Sequence, residues 1–386
     1  MKRYIAIILI LAWLLPLYAC SNEGALEKNR PQHAVASVSA VGDIFLTDAM
    51  LADAKAVSGY DFTALFENVV VPLSKADVTI GNFEGNLIGK DYGMQNGSYP
   101  DEFAQALYQT GFDILQTANS YTIFNGLAGL ESTKSVIQNS GMQALGTYTS
   151  TDDREENQVI VKDVNGIRIA FIAFTKGLGN LAMPEDTDCG VNLLYEDYTS
   201  DYSKVNSSAI EDVLEQAKAK EADVIIAALH WGSENQEEIS QTQKEITDLM
   251  LQNGVDVILG SHSHLVSEIE QRKVQLPDGS EKECVIAYSL GDFCVVDSGE
   301  CNTSVILDLE FTRNGNQTKI SKVESIPISA TDCGEEANDR FRLMLTETEI
   351  ALYEQNYYNC VTTEIYEVLV SELESIRKKL GIEATE

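Results

Sequence analysis

Seven short runs of β-branched and aliphatic residues constrain this chain more than anything else in it: VASVSAVGDIFL (35–46), ADVTIGNFEG (76–85), GFDILQTAN (111–119), IRIAFIAFT (167–175), ADVIIAALHWG (222–232), VDVILGSHSH (255–264) and CVIAYSLGDF (284–293). Each is apolar over most of its length, as strands covered on both faces must be. Between them lie stretches with apolar residues at helical spacing: LAGLESTKSVIQNSG (127–141), SSAIEDVLEQAKAKE (207–221) and TQKEITDLMLQNG (242–254). The first and last of these close on Gly141 and Gly254, suitable helix C-caps. The alternation specifies an α/β fold.

After about residue 302 the texture changes. TSVILDLEFTRNGNQTKISKVESIPI (303–328) reads as a hairpin turning on Asn314-Gly315. In EIYEVLVSELESIRKKLG (364–381) the residues Ile365, Val368, Leu369, Leu373, Ile376 and Leu380 recur at helical spacing, with Lys378 and Lys379 in the last turn. Segment 303–386 is therefore expected to pack onto an α/β body at 36–302 as a hairpin and helical extension. No internal repeat or low-complexity tract interrupts either part.

The first twenty residues, MKRYIAIILILAWLLPLYAC, have a basic start and one apolar run, short for a membrane span. They read as an export signal over 1–19. Leu17-Tyr18-Ala19-Cys20 resembles the lipobox of bacterial lipoproteins, in which the cysteine is lipidated; an ordinary cleaved signal or an uncleaved anchor are the alternatives. Acyl chains on Cys20 would hold the chain at the outer face of a bacterial membrane, extracytoplasmic and lipid-anchored, with 20–35 as a polar linker that includes His33. Six further cysteines (Cys189, Cys284, Cys294, Cys301, Cys333 and Cys360) permit disulfides in that compartment. None sits in a CxxC, which argues against a structural zinc site. A Cys294–Cys301 bridge across the loop VVDSGE is the pairing the spacing favours.

Basic residues number 27 and acidic residues 60, a net charge of −33. Such a surface repels nucleic-acid phosphates and anionic headgroups, which excludes both as partners, and it suits divalent cations.

The chemistry gathers at the strand ends, where sites form in open α/β sheets. The first run delivers Asp43, the second Glu84, the third Asn119, the fifth His230 and the sixth His262 and His264. Only four histidines exist in the chain, so three of them at such positions is informative. Each residue alone has an ordinary reading: Asp43 as a turn residue, Glu84 as a loop acid, Asn119 as a helix cap, His230 as a core histidine. Together they form a mixed nitrogen and oxygen donor set suited to manganese, zinc or iron. Alternation along an extended segment would point His262 and His264 the same way, toward one cluster.

The blocks VGDIFL, LSKADVTIGNFEGNL, GFDILQTAN, LHWGSENQ, GVDVILGSHSHLV and AYSLGDF resemble, in order and spacing, the CapA family of capsule synthesis proteins, the poly-γ-glutamate capsule group related to calcineurin-like metallophosphoesterases. The likeness runs from about residue 36 to about 300. It implies a metallophosphoesterase-like sandwich of two sheets flanked by helices, with two divalent metals at the sheet edges. By motif, Asp43, His262 and His264 would hold one side, Glu84 would bridge, and Asn119 and His230 would complete the other. Glu234 would orient an imidazole from behind. The implied partners are a capsule or cell-envelope polymer and its synthesis machinery.

One departure bears on activity. The family usually reads ANNHALDYG where this chain has ANSYTIFNG (118–126), so Tyr121 stands for the histidine that protonates the leaving group and Phe124 for the aspartate that orients it. Tyrosine, with an ordinary pKa near ~10, is a poor acid at neutral pH. Asp292 stands where the family commonly has asparagine. Three functions therefore remain open: a polymer-synthesis protein with a dinuclear site, a metal-dependent phosphoesterase or hydrolase of the envelope with Tyr121 as a weakened acid, and a catalytically degenerate binding protein.

Overall fold

A computed structural model describes residues 30–276, 279–296, 301–337, 339–357 and 360–381. The expected export signal, Cys20 and most of the linker lie outside the described residues. Among the described residues fifteen strands follow in order: β1 (His33–Ile44), β2 (Val78–Phe83), β3 (Ile114–Gln116), β4 (Gln143–Leu145), β5 (Thr147–Tyr148), β6 (Ile160–Val164), β7 (Ile167–Thr175), β8 (Gly190–Val191), β9 (Val224–His230), β10 (Val257–Ser261), β11 (Ile269–Gln275), β12 (Glu281–Ala287), β13 (Cys301–Asn314), β14 (Gln317–Asp332) and β15 (Phe341–Leu345). Seven form one sheet in the order β15-β14-β13-β1-β2-β3-β4, and six form another in the order β11-β12-β10-β9-β7-β6. β5 and β8 pair separately. Among the described residues no helix is long and apolar enough to cross a membrane.

The two sheets stack face to face. Ala36, Val38 and Ala40 of β1, with Ile80 and Leu307, meet Phe171, Ile226 and Leu259 of the other sheet in one core. The outer face of the seven-stranded sheet packs under the helices Asp101–Thr110 and Gly126–Asn139 through Phe83, Leu115, Phe103 and Ile137. The outer face of the six-stranded sheet packs under the helices Ser207–Ala219 and Gln241–Gln252 through Phe174, Leu229, Leu214 and Met250. Helix, sheet, sheet and helix make four layers, and this is why the central strands are apolar on both faces. β2, β3, β9 and β10 are buried at every residue.

Three sequence expectations meet a different arrangement. His33 opens β1, paired opposite Asn314 with its Nδ1 2.8 Å from the Asn314 Oδ1, so the linker ends before it. The hairpin turns at Asn314-Gly315 as expected, but β13 also pairs antiparallel with β1. It therefore extends the central sheet instead of lying on a finished body. The disulfide joins Cys333 to Cys360, not Cys294 to Cys301. Cys294 is fully buried with its thiol donating to the Phe45 carbonyl at 3.3 Å, while Cys301 begins β13. The C-terminal helix Thr363–Leu380 buries Ile365, Leu369, Leu373 and Ile376, ends on left-handed Gly381, and leaves Val368 exposed.

A register shift between Ala40 and Asp43 decides where β1 points its last side chains. Ala36, Val38 and Ala40 face the core between the sheets, whereas Val41 and Ile44 face the outer helices. The extra residue inverts the alternation, so Asp43 turns inward at the carboxyl end of the strand. The segment after β12 clamps this end: the Asp43 amide donates to the Gly291 carbonyl at 2.9 Å, and the Phe293 amide to the Asp43 carbonyl at 2.8 Å. A Cβ on Gly42 would stand 1.8 Å from the Gly291 oxygen, a backbone atom that cannot yield cheaply. Gly42→Ala should therefore cost roughly 3 kcal/mol or more of stability. Urea unfolding measures it, and a loss below ~0.5 kcal/mol would disprove the clamp.

Candidate metal centre

The carboxyl ends of β1, β2, β9 and β10 meet over one cleft, and each delivers a polar side chain. β1 supplies Asp43 and β9 supplies His230, both fully buried. Glu84 follows β2 directly, its amide donating to the Ile44 carbonyl at 2.9 Å. Donor atoms of Glu84, His230 and His262 lie within 4.8 Å of one another, and so do those of Asp43, His264 and Asp292. Glu84 Oε1 is 3.1 Å from His230 Nδ1, and Asp292 Oδ1 is 2.7 Å from His264 Nδ1. The cleft above them, about 370 Å³, is walled by Phe45, Met94, Ser120, Tyr121, Glu234 and Leu265 among others.

His262 and His264 both line this cleft, as expected, but strand alternation is not what brings them there. β10 ends at Ser261, and both histidines take left-handed backbone angles, φ 94° and 61°. Non-glycine residues pay ~1–3 kcal/mol each for such angles and concentrate at functional sites. The His262 amide donating to Asp43 Oδ2 at 3.0 Å holds the turn. The two imidazoles are thereby split, one to each donor group.

Asn119 stands one step back from both groups. Its Oδ1 accepts from the Tyr121 amide at 2.9 Å, and its Nδ2 donates to Asn82 Oδ1 and the Phe83 carbonyl. The amide at the centre is Asn82, whose Nδ2 donates to Asp43 Oδ1 at 2.6 Å and Glu84 Oε1 at 3.0 Å. Glu234 is exposed on the cleft rim, and the imidazoles turn instead to Glu84, Asn82, Ser120, Ser261 and Asp292. Ser120 Oγ sits 3.1 Å from His230 Nε2. Sequence reasoning did not assign Asn82, Ser120 or Asp292 to the site. All three follow strands or close them, so the strand-end rule that found Asp43 reaches them too.

Residues 37–297 match the model of the bacterial capsule synthesis protein PGA_cap family. The chain belongs to this family. It is 24% identical over 341 residues to the capsule biosynthesis protein CapA of Bacillus anthracis, covering 84% of this chain and 76% of that one. It is 25% identical over 291 residues to the PGA biosynthesis protein CapA of Bacillus subtilis strain 168, covering 73% and 69% respectively. Among solved structures it is similar to the calcineurin-like phosphoesterase YfkN from Bacillus subtilis, at TM-score 0.44 and 14% identity over 76% of this chain and 90% of that one. At that TM-score the superposition carries nothing further.

In this PGA_cap chain the electrostatics of the cluster are those of a buried set short of positive charge. Burial raises Asp43 to about 6, with His264 opposing the shift and Asp292 adding to it. Burial and then the Asp43 charge hold Glu84 well above the ordinary carboxylate range. Burial keeps His230 neutral, with the other histidines and Lys176 adding to it, and burial and Lys176 lower His262 to about 3. His264 is the exception: burial works against its charge, but the hydrogen bond to Asp292 and the charge of Asp43 outweigh it and raise it to about 10. Crowded carboxylates beside neutral imidazoles are the donor chemistry that divalent cations relieve, so the residues present fit a metal.

The His264 shift fixes a sign. A proton bound more tightly in the folded state stabilises fully below the unfolded pKa of about 6.5 and is lost as pH rises through about 10. Metal-free protein should therefore lose stability from pH ~6.5 to ~10 more steeply than its His264→Gln variant. Urea titrations across that range give the two slopes, and equal slopes would refute the ion pair.

Proposed function

We propose that this chain is an exported, lipid-anchored protein of capsule, poly-γ-glutamate or cell-envelope polymer synthesis whose cleft holds two divalent metal ions. Membership of the PGA_cap family supports the polymer. The metal rests on one observation, the two adjoining donor groups Glu84/His230/His262 and Asp43/His264/Asp292. Manganese, zinc or iron suits that mixed set. When bound, such ions would polarise an ester, amide or phosphoryl oxygen and lower the pKa of water.

The chain's own groups prepare the cleft. Asn82 aims one oxygen each of Asp43 and Glu84, removing their freedom to rotate away. Ser120 fixes the far edge of His230, its amide donating to Nε2 at 3.3 Å with its hydroxyl 3.1 Å from the same nitrogen, while Nδ1 faces Glu84. Tyr121 is half-buried on the cleft wall, and burial together with Glu84 and Glu234 raises its hydroxyl above the ordinary value. It holds its proton too tightly to serve a leaving group at neutral pH.

That last observation supports a second reading, a site that binds its polymer and turns it over slowly or not at all. One experiment separates the two. Reconstituted protein should hold two metals per chain by elemental analysis, and His262→Ala should lose metal. Turnover of an aryl phosphoester should be weak in wild type and rise roughly 10²–10⁴-fold in Tyr121→His. Two metals without any rise would favour the binding protein, and no stoichiometric metal would defeat both readings.

A further inference from the structure

The turn that carries His262 and His264 is held at its near end by Asp43, through the His262 amide. Two left-handed residues persist only where their surroundings fix them, and the far end of the turn has its own fastening. Val266, two residues beyond His264, is buried in the core that also holds Leu290 and Ile376. It bridges antiparallel to Leu290, and its carbonyl accepts from Lys379 Nζ at 3.2 Å. Beside it the Ser267 amide donates to the Ser289 carbonyl at 3.0 Å.

Lys379 lies in the last turn of the C-terminal helix Thr363–Leu380. Its Nζ is also 3.0 Å from Glu237 Oε1, in the loop that follows His230. That loop is tied in turn to the histidine turn, because the Asn235 amide donates to the Ser263 carbonyl at 3.0 Å. One ammonium group thus joins the two loops that leave β9 and β10 at the candidate metal centre. The helix that delivers it is fixed at both ends. Ile376 is buried between the sheets and Leu380 packs against the same core. Cys360, just before the helix, is bonded to Cys333, the residue after β14.

From Val266, contacts lead on to the Asp43/His264/Asp292 group. Gly291 packs so closely that a Cβ there would stand 3.1 Å from Val266 Cγ2. The Gly291 carbonyl accepts from the Asp43 amide, and Asp292 is the next residue. Glu84 and His230, by contrast, are held from β2 and β9 with Asn82 and Ser120 against them.

We infer that Lys379 is a positioning residue of the metal centre, locking the turn 262–266 so that His264 meets Asp43 and Asp292. The inference rests on the proposed reading of the cleft as a metal site, and it gives the C-terminal extension a part in that site. An exposed ion pair with Glu237 alone would contribute little. The Lys379 side chain is 31% exposed, however, and its second partner is the carbonyl of a buried residue, where a charged donor counts for more.

Two variants test it. Lys379→Met keeps the aliphatic stem and removes the ammonium, whereas Lys379→Arg keeps a charged donor. In the metal-free full chain, hydrogen exchange at the Asn235 and Ser267 amides should quicken about three- to tenfold in Lys379→Met. Exchange in β2 and β9 should stay as in wild type, and Lys379→Arg should restore the two amides. In reconstituted protein, chelator competition should show one metal held about three- to tenfold more weakly in Lys379→Met and the other within about twofold of wild type. Unchanged exchange at both amides, faster exchange throughout β2 and β9, an equal loss at both metals, or no recovery in Lys379→Arg would overturn the assignment. Wild type without stoichiometric metal would instead defeat the reading of the cleft, and the exchange experiment reads Lys379 with no metal present.

Discussion

Asp43 joins the two sheets through its side chain, and the site depends on that junction. It belongs to the seven-stranded sheet, yet one oxygen accepts from the His262 amide just past β10 of the six-stranded sheet and the other from Asn82 beside it. The inversion of β1 at Ala40–Asp43 is what brings the carboxylate inward. The hydrogen bond to His262 in turn holds a backbone turn that tetrahedral sterics disfavour, and that turn sends the two imidazoles of the motif to separate donor groups. A buried carboxylate without such partners would cost several kcal/mol. Sheet packing, backbone strain and donor placement are therefore one arrangement: loosening any of them releases the other two.

Much of this was legible in the chain. Strands covered on both faces announce themselves as unbroken apolar runs, and the rule that α/β sites lie beyond the carboxyl ends of strands pointed to Asp43, Glu84, His230, His262 and His264 from residue type and position alone. What the sequence hid was conformational. Nothing in GSHSHL reports positive φ at two histidines, because the hydrogen bond that holds them comes from a residue 219 positions away. The same limit explains Asn119 and Asn82: both are strand-end asparagines, and only packing decides which amide reaches the carboxylates. Cys333 and Cys360 were invisible as a pair for a related reason, since β15 and the following helix intervene and their docking sets the distance. β11 escaped notice because it is an edge strand, alternating exposed and half-buried residues in IEQRKVQ where an interior strand would be apolar throughout.

The charge of the molecule also divides into two roles. Of the 60 acidic residues, most of those described lie at least partly exposed, where they are solvated and screened. The three at the cluster are buried, and Asp43 and Glu84 hold protons more readily than free carboxylates because repulsion and desolvation add. Protons and metal ions would compete for the same atoms, so binding a cation there would release protons and would strengthen with rising pH. A surface acid cluster lacks this property, since water already stabilises its charge.

The residues at 121 and 124 bring the argument to the cleft's purpose. Where relatives in the resemblance carry a histidine and an aspartate, this chain places two aromatic rings against the bare backbone of Gly97. Replacing an acid–base pair by rings removes proton transfer and adds apolar area at the same point in space, so the two changes are not independent losses. Beside those rings Glu84, His230 and His262 on one side, and Asp43, His264 and Asp292 on the other, stay gathered within ligand distance. The cleft thus keeps side chains whose donor chemistry fits a divalent cation, while the position beside them holds a hydroxyl whose pKa burial and acidic neighbours raise, a poor proton donor at neutral pH.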